Sequence, residues 1–329
     1  MNKSATSVVE FRNGREVAHG GLREPLIVVD VHTFLKMEIP PRQMVLEPWM
    51  PTQGLAMLYG WRGTGKTFLT LSIAYAVASG GLILDWTAPR PAKVVYLDGE
   101  MPAPDLQNRL SLITAGAERE PEPGMLNIIT PDLQKRSMPD FSTVGGLASL
   151  EEVMPADVQL IILDSISSLI RSGVENEAES WQSISEWAMG QRVAGRSVLF
   201  LHHTGKSGEQ RGTSKREDFL DTILQLKPIA DHAPHEGAKF EVHIKKSRGV
   251  CREFVPIQAE LVQTKNGGVH WTYRTIEASV RERIYELVDC GMKPPEISKE
   301  LGIGRATVYR WIARRSEPGV VSSQCSKEH

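Results

Sequence analysis

Cysteine is scarce in this sequence, and the cysteines that are present do not form pairs. The 329 residues include only Cys251, Cys290 and Cys325. Their spacing fits neither a disulfide framework nor a zinc site. Unpaired cysteines are typical of a reducing compartment, and we therefore expect a cytoplasmic location.

Long apolar runs are absent too. No stretch approaches the ~20 apolar residues that cross a bilayer. The first residues also lack the basic region and apolar run of a secretory signal, so we expect no membrane partner. The formal net charge is only −2, so any affinity for nucleic acid has to come from local basic patches.

The composition is sufficient for one large core and a small second domain, because 41% of the residues are hydrophobic. The order of polar and apolar segments predicts four regions. They are an N-terminal leader or arm (1–40), an α/β domain (41–273), a small three-helix domain (274–317) and a disordered tail (318–329).

Apolar strands alternate with helical stretches through the α/β domain. Strands are predicted at Ala56–Tyr59, Val94–Leu97, Met125–Thr130, Val158–Leu163, Ser197–Leu201, Thr222–Leu226, Phe240–Lys245 and Glu260–Thr264. Helices are predicted at Lys66–Ala78, Ala103–Ala115 and Glu177–Ala194. Strands flanked by helices indicate a mainly parallel sheet that is covered on both faces.

One glycine-rich segment has the full spacing of a phosphate-binding loop. Residues 60–67 match G-x-x-x-x-G-K-[ST] between a predicted strand and a predicted helix. The glycines let backbone N–H groups surround phosphate oxygens, and the helix N-terminus adds its positive dipole end. Lys66 would reach the β- and γ-phosphates of ATP, and Thr67 would bind Mg²⁺. The predicted nucleotide-binding residues are Gly60, Trp61, Arg62, Gly63, Thr64, Gly65, Lys66 and Thr67.

Polar residues follow three further predicted strands, at the edge where parallel α/β sheets build their sites. Asp164 ends a buried strand and fits the Walker-B role, in which it binds Mg²⁺ through water. Glu100 fits the role of general base that polarises the attacking water, although Asp98 competes for it. His203 is placed to contact the γ-phosphate, and a packing or surface histidine is the alternative.

Four segments carry a resemblance to a known family. They read GWRGTGKT, YLDGEM, LIILDSISSL and LHHTGKSGEQRGTSKREDFLD. Over roughly residues 40–265 the chain resembles the RecA-type hexameric helicases, especially plasmid RepA-like (AAA_25-like) replicative helicases and, more distantly, the DnaB family. The resemblance implies a RecA-like P-loop fold in a homo-oligomer, expected to be a hexamer. It also places the family's catalytic base on Glu100 and its sensor on His203.

The same resemblance implies a role for a flexible basic loop. Residues 205–218 are rich in glycine and serine, and in the family this region lies near the central channel. The resemblance implies that it binds the backbone of single-stranded DNA without reading sequence. The residues concerned are Lys206, Arg211, Lys215 and Arg216. A merely solvated loop is the alternative.

Lys246 and Arg248 come at the end of a late strand. They are similar to the Lys-x-Arg pair that RecA-type ring helicases project into the nucleotide of the adjacent subunit. An arginine donated in this way stabilises charge on the transferred phosphoryl group, and we favour Arg248 over Lys246. The active protein would then oligomerise head to tail. A basic hairpin edge is the alternative.

The last predicted helices fit a helix-turn-helix. They span Ser279–Asp289, Pro295–Leu301 and Arg305–Arg315, with a tight turn at residues 302–304. The third helix is basic, and the segment resembles the helix-turn-helix of resolvase and invertase recombinases, whose third helix enters the major groove of duplex DNA. The predicted DNA contacts are Arg305, Thr307, Tyr309, Arg310 and Arg314, whereas Val308 and Ile312 would face inward. A protein-binding or ring-packing domain is the alternative.

Together these features predict an ATP hydrolase that forms a ring and moves on or unwinds DNA. Such proteins are commonly encoded by plasmids, phages and integrated elements. The chain shows no primase domain, so priming would need replication proteins as partners. Two alternatives stay open: a recombination mediator or helicase loader without unwinding activity, and a DNA-binding regulator that ATP switches.

Overall fold

The computed structural model describes residues 26–170, 178–204, 217–229, 237–249 and 254–315. Residues 26–42 belong to a separate unit. Its helix α1 (Val31–Lys36) begins after Asp30, whose carboxylate accepts the backbone N–H groups of His32 and Thr33 at 2.9 and 3.2 Å. The predicted DNA contacts Lys206, Arg211, Lys215 and Arg216 lie outside the described residues.

The second unit begins at Gln43 and contains the remaining elements. The strands are β1 (Met44–Leu46), β2 (Met50–Pro51), β3 (Leu55–Gly60), β4 (Leu82–Ile83), β5 (Trp86–Thr87), β6 (Val94–Asp98), β7 (Leu126–Ile129), β8 (Leu160–Asp164), β9 (Ser197–His203), β10 (Thr222–Pro228), β11 (Lys239–Ser247), β12 (Ile257–Gln263) and β13 (Val269–Thr275). The helices are α2 (Lys66–Ser79), α3 (Ala103–Gly116), α4 (Val144–Val153), α5 (Ile166–Leu169), α6 (Ala178–Val193), α7 (Ile276–Asp289), α8 (Pro294–Glu300) and α9 (Arg305–Arg315).

A nine-stranded sheet in the order β13-β12-β11-β10-β3-β9-β8-β6-β7 forms the centre of this unit. The strands from β10 to β7 run parallel. Strands β11 to β13 extend the sheet in antiparallel fashion. Because neighbouring parallel strands end together, the C-termini of β3, β9, β8 and β6 share one edge of the sheet.

The two faces of the sheet carry separate apolar cores. In β3, Ala56 and Leu58 pack on the side of α2 and α3, whereas Leu55, Met57 and Tyr59 pack on the side of α4, α5 and α6. Side chains alternate between faces along a strand, so a strand that is apolar throughout is buried on both faces. The mainly parallel, doubly covered sheet of the prediction is therefore confirmed.

The small C-terminal domain follows the sheet without a linker. Strand β13 ends at Thr275, and α7 begins at Ile276 with the Thr275 hydroxyl capping its first turn. The predicted boundary at residue 273 thus falls inside β13. Helices α7, α8 and α9 enclose a core of their own, formed by Ile284, Leu287, Ile297, Val308 and Trp311.

Candidate functional site

The predicted phosphate-binding loop connects β3 to α2 with two of its glycines in the left-handed region. Gly63 has φ 78° and Gly65 has φ 97°, values that cost a side-chain-bearing residue free energy. A Cβ added at Gly65 would also lie 2.4 Å from the Cβ of Ala238. Glycine at position 65 is thus required by both conformation and space.

Lys66 lies within this loop. Its Nζ donates hydrogen bonds to the carbonyl oxygens of Gly60 at 3.0 Å and Trp61 at 2.6 Å. Burial lowers the pKa of Lys66 to about 8, and the negative charges of Asp164 and Glu100 oppose that shift. An ammonium so placed favours an anion such as a phosphate group beside it.

Asp164, at the C-terminal end of β8, is the buried acid beside the start of α2. Its Oδ2 accepts the hydroxyl of Tyr96 at 2.6 Å, and Thr67 donates a second hydrogen bond to the carboxylate. Burial raises the pKa of Asp164 despite these bonds. Tyr96 in turn lies 3.1 Å from the hydroxyl of Thr70. The network joins β6, β8 and α2 at the predicted metal position.

The side chains at this position fit Mg²⁺. The Thr67 hydroxyl and the Asp164 carboxylate are oxygen ligands, which this hard cation prefers. Within the described ranges, no group of three or more His, Cys, Asp or Glu side chains could hold a metal alone. Mg²⁺ is commonly bound by few protein ligands together with substrate phosphate oxygens.

Glu100 is the exposed acid of this edge, with 47% of its side chain accessible. Its Oε1 accepts the hydroxyl of Ser165 at 2.5 Å and lies 3.3 Å from Nε2 of His203. The hydrogen bond with His203, followed by that from Ser165, lowers the pKa of Glu100 to about 2, against the effect of burial. The carboxylate is therefore ionised at neutral pH and accessible, so it can accept a hydrogen bond from an attacking water and polarise it.

Asp98 occupies a different environment. It is only 1% exposed, and its Oδ2 accepts the backbone N–H of Met101 at 2.9 Å, so it closes the turn that carries Glu100. Burial raises the pKa of Asp98 to about 6. The geometry favours Glu100 over Asp98 as the base.

The two histidines at the end of β9 also differ. His202 is fully buried and packs edge-on against Trp181, with ring centroids 6.1 Å apart. His203 reaches across the edge to Glu100. Of the two rings, only that of His203 adjoins the predicted base, which favours His203 as the sensor.

Lys246 and Arg248 lie at the opposite end of the sheet from their own phosphate-binding loop. Gly60, where the loop begins, pairs with Leu226 on β10. The backbone N–H of Arg248 instead bonds the carbonyl of Asp221, beside the start of β3, at 2.7 Å. Residue 221, beside Arg248, and residue 226, beside the loop, are separated by roughly 16 Å at a rise of ~3.3 Å per residue. The Arg248 side chain is exposed, whereas Lys246 donates to the carbonyl of Glu217.

The predicted DNA-contacting residues of α9 lie mostly on its outer face. Arg305, Tyr309, Arg310 and Arg314 are exposed, and Thr307 is half-buried. Val308 is fully buried, and Ile312 packs against the small core. The basic face of α9 is thus accessible, with its apolar face against α7 and α8.

The edge formed by the C-termini of β3, β6, β8 and β9, where the nucleotide is predicted to bind, is called the nucleotide edge below. Sequence reasoning missed two of its residues. Ser165 holds Glu100, and Tyr96 holds Asp164. Ser165 directly follows Asp164, and Tyr96 lies two residues before Asp98, so both lie inside the segments that the sequence analysis singled out. Their partners, however, lie on other strands, which spacing along the chain does not reveal.

Comparison with known proteins agrees with this geometry. The chain matches the AAA domain family AAA_25 over residues 23–209 and a homeodomain-like domain family (HTH_23) over residues 272–320. No curated protein matches it. Among solved structures, the KaiC-like protein PH0186 from Pyrococcus horikoshii OT3 is similar, with 17% identity and a TM-score of 0.50 over 69% of this chain and 93% of that chain.

Two more structures are similar at lower scores. They are the flagellar accessory protein FlaH from Methanocaldococcus jannaschii (15% identity, TM-score 0.44, 67% of this chain and 90% of that chain) and the RadB recombinase (16% identity, TM-score 0.44, 66% and 90%). At 17% identity the likeness to PH0186 indicates a shared fold. The predicted RecA-like α/β core with a C-terminal helix-turn-helix is confirmed.

Proposed function

The chain belongs to the AAA domain family AAA_25, and from that premise we propose that it is an ATPase that acts on DNA. In this proposal the protein binds ATP with Mg²⁺, assembles into a head-to-tail ring, expected to be a hexamer, and hydrolyses ATP to move on or unwind DNA. The helix-turn-helix recruits the ring to duplex DNA. Replication of a plasmid, phage or other mobile element is the process that suits such a protein.

One observation carries the hydrolytic part of the proposal. Glu100 is held ionised by His203 and Ser165 on the edge of the sheet where Lys66, Thr67 and Asp164 also lie. The loop and Lys66 would bind the phosphates, and Thr67 and Asp164 would hold Mg²⁺, which neutralises charge on the phosphate oxygens when bound. Glu100 would then accept a proton from the attacking water.

The ring part of the proposal rests on Arg248. Its position beside the start of β3 is too far from the chain's own loop to serve that nucleotide, and its side chain is exposed. A cation at the opposite end of the sheet suits the nucleotide of a neighbouring subunit. Head-to-tail contacts of this kind close into a ring when the rotation between subunits closes.

The test is the rate of ATP hydrolysis measured without DNA, with single-stranded DNA and with duplex DNA. We expect marked stimulation by single strands, and Lys66→Ala as the matched control should abolish turnover in all three. An unwinding assay with a forked duplex follows. Stimulation without strand separation would indicate a mediator or loader, and a slow rate indifferent to single strands would indicate an ATP-switched regulator.

A further inference from the structure

Three arginines converge on one tryptophan in the C-terminal domain. Trp311 is 7% exposed and belongs to the small core. The Cζ atoms of Arg281, Arg310 and Arg314 lie 5.7, 5.7 and 4.9 Å from its ring centroid. Arg310 and Arg314 come from α9, but Arg281 comes from α7, so two helices bring positive charge to the same ring.

Three other arginines in and beside this domain have acidic partners. Arg315 pairs with Asp289 at 2.9 Å, Arg283 pairs with Glu286 at 3.0 Å, and Arg274 pairs with Glu282. In the described part of the chain, none of the three guanidinium groups around Trp311 forms an ion pair. Like charges that lie within about 11 Å of one another and have no counter-charge favour binding of an anion.

Stacking on the indole also prepares these groups for a phosphate ligand. A guanidinium over an aromatic ring keeps its N–H donors in a rigid plane, in a geometry that matches phosphate oxygens. The site adjoins the exposed face of α9, where Arg305 and Tyr309 are accessible, and α9 contains no acidic residue.

We propose that Arg281, Arg310 and Arg314, built on Trp311, form a binding site for the phosphodiester backbone of duplex DNA. The proposal rests on DNA binding by α9 and adds to it a contact from α7. Backbone contacts fix the position of a recognition helix and carry no sequence information directly. Arg281 therefore contributes affinity and register, while residues near the start of α9 contribute specificity.

The test is the affinity of the full chain for duplex DNA, measured by fluorescence anisotropy at several salt concentrations with two duplexes of equal length and unrelated sequence. For Arg281→Gln we expect about tenfold weaker binding near 0.1 M salt and a slope of log K against log salt smaller by about 1, equally for both duplexes. Arg283→Gln is the matched control on the same helix, and it should change neither quantity. Equal behaviour of the two variants would overturn the proposal.

Two further variants separate this site from folding and from the proposed function. Arg281→Lys keeps the charge and should retain the salt slope, and an unchanged melting temperature shows that the domain is folded. If Arg305→Gln weakens duplex binding and Arg281→Gln does not, the phosphate site is wrong and DNA binding by α9 stands. If Arg305→Gln and Arg310→Gln also have no effect, DNA binding by α9 and the phosphate site both fail.

Discussion

The chemistry proposed for this protein depends on one carboxylate, that of Glu100. Replacing Glu100 with Gln keeps the shape of the side chain and removes its basicity. We expect ATP binding to persist while turnover falls by about 10²–10⁴-fold, the usual contribution of a positioned base. Binding of a fluorescent ATP analogue and steady-state hydrolysis are the measurements.

Glu122→Gln is the matched control for this change, because Glu122 is an exposed acid away from the nucleotide edge and should leave turnover unchanged. Wild-type turnover in Glu100→Gln would remove Glu100 as the base. The same experiment on Asp98→Asn would then decide whether the buried acid takes the role.

Ser165 provides a prediction with a pH dependence. Hydrogen bonds from His203 and Ser165 lower the pKa of Glu100 to about 2, so in the wild type this base stays ionised throughout the mildly acidic range. Ser165→Ala removes one of these bonds while that of His203 remains, which raises the pKa of Glu100 from about 2 toward its ordinary value of 4.5 and moves the acidic decline of kcat/KM to higher pH than in the wild type.

The measurement is the pH profile of kcat/KM between about pH 3 and pH 8, which covers the range in which Glu100 would titrate. Ser149→Ala, an exposed serine of α4, should keep the wild-type profile. A Ser165→Ala profile identical to that of the wild type would show that the Ser165 hydroxyl does not hold the base.

At the scale of single residues, the sequence was informative where spacing encodes the chemistry. The eight residues of the loop, Asp164 and Glu100 all follow from a motif or from the end of a strand. Ser165 and Tyr96 did not, because their roles depend on which strands become neighbours. The choice between Asp98 and Glu100 likewise needed burial, which places one carboxylate inside the turn and the other on the surface.

At the scale of elements, the long apolar strands and amphipathic helices were predicted to within a few residues. Helix α4 was not predicted, because its sequence VGGLASLEEV contains two glycines, which have low helix propensity. Strand β13 was also missed, although Val269, Trp271 and Tyr273 alternate with polar residues as in a half-buried strand. The strands of the two small hairpins have only two or three residues, too few for any periodicity.

The junction between β13 and α7 gives a prediction at the same scale. Helix α7 is held to the sheet by a few polar contacts: the backbone N–H of Ile276 donates to the carbonyl of Pro256 at 3.2 Å, and Ser279 bonds Gln258. Deleting residues 276–329 therefore removes little of the two large cores. We expect the truncated chain to keep its single-strand-stimulated hydrolysis and to lose at least tenfold in duplex affinity.

A full-length chain with Arg305→Gln, Arg310→Gln and Arg314→Gln is the control for this deletion, because it keeps the helical core and loses the charge. It should lose duplex affinity as the truncated chain does. Loss of hydrolysis on truncation, with a normal melting temperature, would contradict the separation of the two activities.

At the scale of the whole molecule, the proposed ring predicts complementation between inactive subunits. Arg248→Ala subunits keep an intact loop, and Lys66→Ala subunits keep an intact Arg248. When the two variants assemble at random in equal amounts, about a quarter of the subunit interfaces place an intact loop beside the intact Arg248 of the neighbouring subunit. We expect the rate of ATP hydrolysis to recover to about a quarter of the wild-type rate.

Lys245→Ala is the matched control, because Lys245 is exposed on the same strand and should leave turnover unchanged by itself. Light scattering shows whether mixed assemblies form. Mixed assemblies without recovered hydrolysis would exclude Arg248 as a residue that acts on the neighbouring nucleotide.

In the ranges that the structure covers, no helix combines the length and apolar character needed to span a bilayer. The charged features described above are concentrated at the nucleotide edge, at the end of β11 and around α9. These are the three places where the proposed nucleotide, neighbour and DNA would bind.

The direct passage from β13 into α7 would limit how many DNA sites the proposed ring can use at once. Because no linker separates strand and helix, each subunit of such a ring would present its α9 within a limited range of positions. A straight duplex can meet only a subset of such sites at once, so duplex binding should saturate below one site per subunit. Two binding sites on one DNA would be bound cooperatively only when their separation matches the distance between two α9 helices of the ring. Such separations would recur with the helical repeat of about 10.5 base pairs.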